Sequence, residues 1–122
     1  MNLIKVIIKY SLVVMILMLG LSSVSSASDA SDKNIEEGKQ LAFDRKKGNC
    51  LACHLIKDGE LAGNLGPPLI AMKLRFKDRD VLKQKIWDAT QSNKHTVMPP
   101  FGRNLILSET EIERVIDYLY SL

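Results

Sequence analysis

The chain has 122 residues, room for one modest domain, and 46% of them are hydrophobic, enough for a small core. Its formal charge of +3 comes with no sustained basic face of the kind nucleic-acid binding needs, and Lys5 and Lys9 carry part of it. The two cysteines are three positions apart and would close too small a loop to hold a fold together, so another stabiliser is required.

After Lys5 and Lys9 an almost unbroken apolar run extends from Ser11 to Leu21, and the small residues Ser22 to Ala27 follow. A basic start, a short apolar stretch and small side chains at Ser25 and Ala27 predict a secretory signal over residues 1–27, cleaved after Ala27. A cut after Ala30 and an uncleaved anchor are the competing readings. The run from Leu3 to Leu21 is just long enough for a bilayer, although two lysines interrupt it. With the leader gone the chain is close to neutral and has no segment for stable membrane insertion.

Residues 28–33 are small and polar, and read as a flexible N-terminus to a domain spanning 34–122. A first helix is expected from Asn34 as cap, with Glu37 three residues on, to the neighbourhood of Gly48 after Arg45-Lys46-Lys47. Residues 57–68 read as a loop, and Leu69–Leu74 as a short helical turn. Leu82, Ile86 and Ala89 mark a helix over Asp80–Ala89, and Gln91–Asn104 reads as a loop. The final helix is the clearest. Ser108 and Glu111 form a capping box, and Ile112, Val115, Ile116, Leu119 and Tyr120 make one apolar stripe, against which Gly38 suggests a close helix crossing. With no strand-period segment, the predicted class is all-α.

Cys50-Leu51-Ala52-Cys53-His54 is the C-x-x-C-H pattern of covalent haem attachment. Two thiols on one turn can each add to a vinyl group of the same porphyrin, and the adjacent histidine can then coordinate the iron. The pattern occurs once, so one haem c is expected, and it supplies the missing stabiliser. The alternatives are a thioredoxin-like dithiol, which lacks its strand–helix context here, a structural zinc site, and a plain disulfide. For the sixth iron ligand Met98, His95 and Met72 are the candidates after signal removal. Met98 sits before Pro99-Pro100, which stiffen its loop, whereas Met72 lies in an apolar run where core filling explains it. A ligating histidine commonly donates its other N–H to a carbonyl, and Pro67 is the expected acceptor, the competing reading being a turn without haem contact. Trp87 and Arg103 are candidates to hydrogen-bond the propionates, with core packing or a solvated surface equally open. The basic residues Lys73, Arg75, Lys77, Arg79, Lys83 and Lys85 read as a solvated face or as a patch steering an acidic partner. Glu109, Glu111 and Glu113 suit the dipole of the last helix without any partner.

The haem motif, the Gly66-Pro67-Pro68-Leu69 loop, the methionine loop and the terminal helices together resemble a class I cytochrome c, three to four helices wrapped around one covalent haem. From about residue 45 onward the resemblance is closer. Gly48-Asn49-Cys50-Leu51-Ala52-Cys53-His54, Gly63-Asn64-Leu65-Gly66-Pro67-Pro68-Leu69, Ile86-Trp87-Asp88-Ala89-Thr90 and Val97-Met98-Pro99-Pro100-Phe101-Gly102-Arg103, in that order, are similar to SoxX, the monohaem subunit of the SoxXA cytochrome. The resemblance implies haem contacts by Pro67 and Leu69, ligation by His54 and Met98, and a periplasmic heterodimer with a dihaem SoxA-like subunit. In that family the pair oxidatively joins thiosulfate to a carrier cysteine on SoxYZ. The sulfur chemistry belongs to SoxA, and SoxX passes electrons to a downstream acceptor. Beyond Cys50 and Cys53 this chain has no cysteine, so it has no sulfur nucleophile of its own and is expected to be the electron-transfer subunit of the thiosulfotransferase. The alternative functions are a free-standing diffusible periplasmic cytochrome c and a thiol–disulfide oxidoreductase.

Overall fold

The computed structural model describes residues 26–122. The expected leader lies outside them except for Ser26 and Ala27, which begin the first helix. Among the described residues there are four α-helices and no strand: α1 (Ser26–Phe43), α2 (Met72–Arg75), α3 (Arg79–Trp87) and α4 (Glu109–Tyr120). Two 3₁₀ turns, Cys50–Ala52 and Ala89–Gln91, complete the order. The expected all-α class is what the chain adopts.

α4 is the hub, packing on α1, α2 and α3. Its start is fixed by the expected capping box: the Ser108 N–H donates to Glu111 Oε2 at 2.8 Å, and the Glu111 N–H donates to Ser108 Oγ at 3.3 Å. Each bond satisfies an amide that the helix itself leaves without a partner. Ile112, Val115, Ile116 and Leu119 are buried along one face and meet Ala42, Ile56, Met72, Leu82, Ile86, Phe101 and Leu107. The stripe differs from expectation at one place. Tyr118 is the buried tyrosine, set edge-on to Phe43 at 5.9 Å, whereas Tyr120 is half-buried and donates its hydroxyl to the Phe76 carbonyl at 2.8 Å.

α1 and α4 cross at Gly38. A Cβ there would lie 1.9 Å from the Arg114 carbonyl oxygen, so the two backbones touch where only glycine fits. α1 begins at Ser26, well before the expected cap at Asn34, and takes in the residues 28–33 read as a flexible N-terminus. No breaker interrupts that segment, Asp29 complements the dipole, and the Lys33–Glu37 pair at 3.8 Å and the Gln40–Glu36 hydrogen bond at 3.1 Å span successive turns. Glu37 therefore faces Lys33 and Arg114 instead of reaching back to Asn34. The helix stops at Phe43, short of the expected Gly48, because Asp44 turns the chain: its carboxylate accepts from the Lys46 N–H at 2.8 Å, and its carbonyl accepts from the Lys47 and Asn49 N–H groups.

α3 starts on Asp78, whose side chain accepts from the Asp80 N–H, and ends at Trp87, two residues before the expected Ala89. The Gln91–Asn104 segment is a loop apart from the end of the 3₁₀ turn. The charges of α3 and α4 are paired. Arg79 contacts Glu113 at 2.7 Å and Asp117 at 2.8 Å, and Lys83 contacts Glu109 at 2.7 Å and Glu113 at 2.8 Å. Glu111 takes Lys47 at 2.9 Å. The acidic residues of α4 thus do have partners, and two members of the basic run are neutralised inside the molecule.

Candidate functional site

The C-x-x-C-H segment is delivered by the end of α1. The Gly48 N–H donates to the Leu41 carbonyl at 3.1 Å, and a Cβ at Gly48 would lie 2.6 Å from that oxygen, so the chain tucks against the helix it has just left. Asn49, at φ 46°, then turns it into the 3₁₀ turn carrying Cys50. The His54 N–H donates to the Cys50 carbonyl at 2.9 Å, which winds both cysteines and the histidine into a single turn.

A second segment lies along this turn. The N–H groups of Gly63, Gly66 and Leu69 donate to the carbonyls of Leu51, Cys53 and Leu55 at 2.7, 2.8 and 2.9 Å. The approach is close enough to require glycine twice. A Cβ at Gly63 would fall 2.0 Å from the Ala52 oxygen, and one at Gly66 would fall 2.3 Å from His54 Cε1. His54 Nδ1 stands 2.7 Å from the Pro67 carbonyl oxygen. A carbonyl only accepts, so Nδ1 is the donor in this contact, and Nε2 is the ring nitrogen left to meet a metal. Leu69 is buried beneath the same loop.

Met98 is half-buried against the core, and its N–H donates to Thr96 Oγ1 at 3.1 Å. Of the competing ligands, Met72 is 2% exposed in the core with Arg75 Nη1 3.5 Å from its sulfur, and His95 lies exposed on a turn. Trp87 and Arg103 come together. The Trp87 carbonyl accepts from the N–H groups of Gly102 and Arg103 at 3.1 and 3.2 Å, and the indole lies so close to Gly102 that a Cβ there would fall 2.2 Å from Cδ2. The Arg103 guanidinium is turned to Asp88 at 2.8 Å. Asp88 and Gly102 have no role assigned by the sequence alone. Their signal is the joint occurrence of Trp87-Asp88 and Gly102-Arg103 in two motifs far apart in the chain.

Cys50 and Cys53 are free thiols. Burial, with a smaller contribution from Cys53, pushes the Cys50 thiol up to about 11. Among the described residues no group of three or more His, Cys, Asp or Glu side chains is placed to hold a metal ion. A c-type haem fits these residues: two free thiols on one turn, and an imidazole whose Nδ1 is tied to a carbonyl and whose Nε2 is free. Among the described residues no helix is long and apolar enough to cross a membrane.

No curated protein matches the chain in sequence. A solved structure described as SoxXA from P. pantotrophus matches with a TM-score of 0.65 and 28% identity, over 72% of this chain and 80% of that one. Residues 33–119 match the family model described as cytochrome c oxidase, cbb3-type, subunit III. This likeness, the four-helix fold and the C-x-x-C-H turn agree: the chain belongs to that cytochrome c family, as a SoxX-like class I domain for electron transfer.

Proposed function

We propose that this domain carries one haem c through thioethers to Cys50 and Cys53, with His54 and Met98 as axial ligands, and serves as the electron outlet of a SoxXA-type complex. The observation that carries the reading is the His54–Pro67 contact at 2.7 Å, which leaves Nε2 as the free donor next to the two attachment thiols. Bound haem supplies a one-electron couple, and a methionine sulfur on the iron raises its potential relative to a second histidine. The protein's own part is to hold the imidazole, shield one side of the group with Leu69 and the core, and present a thioether from the stiff Met98-Pro99-Pro100 loop.

The likeness to SoxXA supports a partner resembling the dihaem SoxA. In such a complex thiosulfate is joined to a carrier cysteine on SoxYZ, two electrons are released, and this subunit relays them singly to a downstream acceptor. Absence of any cysteine beyond Cys50 and Cys53 fits a relay and assigns the sulfur chemistry elsewhere. The leader pattern of residues 1–27 supports export to the periplasm, where haem attachment takes place.

Two measurements test the reading. Met98→Ala in the holoprotein is expected to abolish the low-spin His/Met spectrum, and an unchanged spectrum refutes Met98 as ligand. Size-exclusion chromatography with a cognate dihaem SoxA-like chain is expected to give a heterodimer. A protein that stays monomeric beside that chain is instead a free-standing diffusible cytochrome.

A further inference from the structure

The loop that carries Met98 has an anchor that ligation by His54 and Met98 does not by itself require. Asp88, between α3 and the 3₁₀ turn, is 4% exposed and is the one buried charged residue among the described residues. A buried carboxylate is costly unless its oxygens are satisfied, and here four donors do so. Oδ1 accepts from the Thr90 N–H at 3.1 Å and the Thr90 hydroxyl at 2.5 Å, while Oδ2 accepts from Gln91 Nε2 at 3.1 Å and Arg103 Nη1 at 2.8 Å. Thr90 and Gln91 are local and close the turn. Arg103 alone arrives from the far side of the methionine loop, and its Nη1 also donates to Thr90 Oγ1 at 3.2 Å.

The two sides of the Met98 loop are held very differently. From Asn93 to Met98 every hydrogen bond is to a residue within four positions. After Met98 the chain is gripped at once: Phe101 is 6% exposed, its carbonyl accepts from the N–H groups of Ile106 and Leu107, and Gly102 and Arg103 are fastened to Trp87 and Asp88. Only Pro99 and Pro100 separate the gripped segment from Met98. Their fixed φ angles pass on a displacement at 101–103 instead of absorbing it.

We propose that Asp88 is a positioning residue for the sixth iron ligand: through Arg103, and beside the Trp87–Gly102 contact, its carboxylate holds the Met98 loop closed and so sets how often the methionine sulfur leaves the iron. The inference rests on the His54/Met98 reading. It gives the Trp87-Asp88-Ala89-Thr90 and Met98-to-Arg103 segments one shared task, which is to clasp the loop.

The test uses the holoprotein and imidazole, which binds ferric iron only when the methionine has left. Asp88→Asn and Arg103→Gln are expected to keep helical circular dichroism and the methionine-to-iron charge-transfer band. Their apparent imidazole affinity should rise roughly tenfold, the equivalent of one charge-assisted hydrogen bond to a half-exposed arginine. Arg103→Lys should recover part of that change. Ser108→Ala, which weakens α4 far from the loop, is the control for general loosening. Imidazole affinity within about twofold of wild type in both Asp88→Asn and Arg103→Gln overturns the proposal, as does an equal rise in Ser108→Ala. Should Asp88→Asn not fold, Arg103→Gln decides alone, since its side chain is 51% exposed. A wild-type ferric protein without the charge-transfer band, or a Met98→Ala variant that retains it, refutes Met98 ligation itself and is read separately.

Discussion

His54 and Gly66 are packed so that the imidazole edge lies on bare backbone: a Cβ at position 66 would sit 2.3 Å from Cε1, 2.5 Å from Nδ1 and 2.9 Å from Nε2. The ring therefore has one orientation, with Nδ1 against the Pro67 carbonyl. Gly66→Ala is expected to push the ring off that carbonyl and to lower haem retention or convert the spectrum to high spin. Visible spectra of the oxidised and reduced holoprotein decide it. A wild-type low-spin spectrum from Gly66→Ala would show that the ring does not depend on this packing.

The α1–α4 crossing is equally intolerant of a side chain. Gly38→Ala places a methyl 1.9 Å from the Arg114 carbonyl oxygen, so the helices must separate. Overpacking of this kind costs about 1–3 kcal/mol, and thermal unfolding should show a midpoint lowered by roughly 4–8 °C for each kcal/mol in a domain of this size. An unchanged midpoint would mean that the crossing relaxes without cost.

Removal of the capping hydroxyl in Ser108→Ala should destabilise the domain by about 1 kcal/mol. The Glu111 amide loses its acceptor at an exposed helix start, and water replaces it only in part. Denaturant unfolding is expected to show a lower midpoint at the same slope, because no change in buried surface accompanies the loss.

Stability should fall on the acid side. Hydrogen bonds from Thr90 hold the Asp88 carboxyl below the usual range, Lys47 does the same for Glu111, and Lys83 for Glu113. A depressed folded value means that the unfolded chain takes up protons first. The stabilising contribution is therefore complete above the ordinary carboxylate values of about 4 to 4.5 and is lost as pH falls through the lower folded ones. Denaturant midpoints measured from neutral pH downward should decline more shallowly in Glu113→Gln than in wild type. Parallel declines would remove Glu113 from the explanation, and added salt should weaken its exposed pairs.

Much of the site was legible in the chain itself because its chemistry demands fixed spacing. Covalent haem attachment calls for two thiols and an imidazole close together, and Cys50, Cys53 and His54 stand within five residues. α4 was legible for the same kind of reason: a capping box and a 3.6-residue apolar period are local properties. What the local signals did not contain was the start of α1, where an ordinary run of Ser, Ala and Asp joins the helix. They also pointed to Tyr120 where Tyr118 is the buried ring, since the angle at which α1 and Phe43 meet α4 decides which ring is covered.

By itself, then, the sequence determined the C-x-x-C-H turn, the last helix and the cytochrome c class, all set by groups a few residues apart. Tertiary structure alone decided the pairings that join distant segments. Arg79 and Lys83 became partners of α4 rather than a free basic patch, and Asp88 met Arg103 across the methionine loop. The reason is physical: the strength of an ion pair depends on distance and burial, and neither exists until the backbone has closed the loop between the two charges.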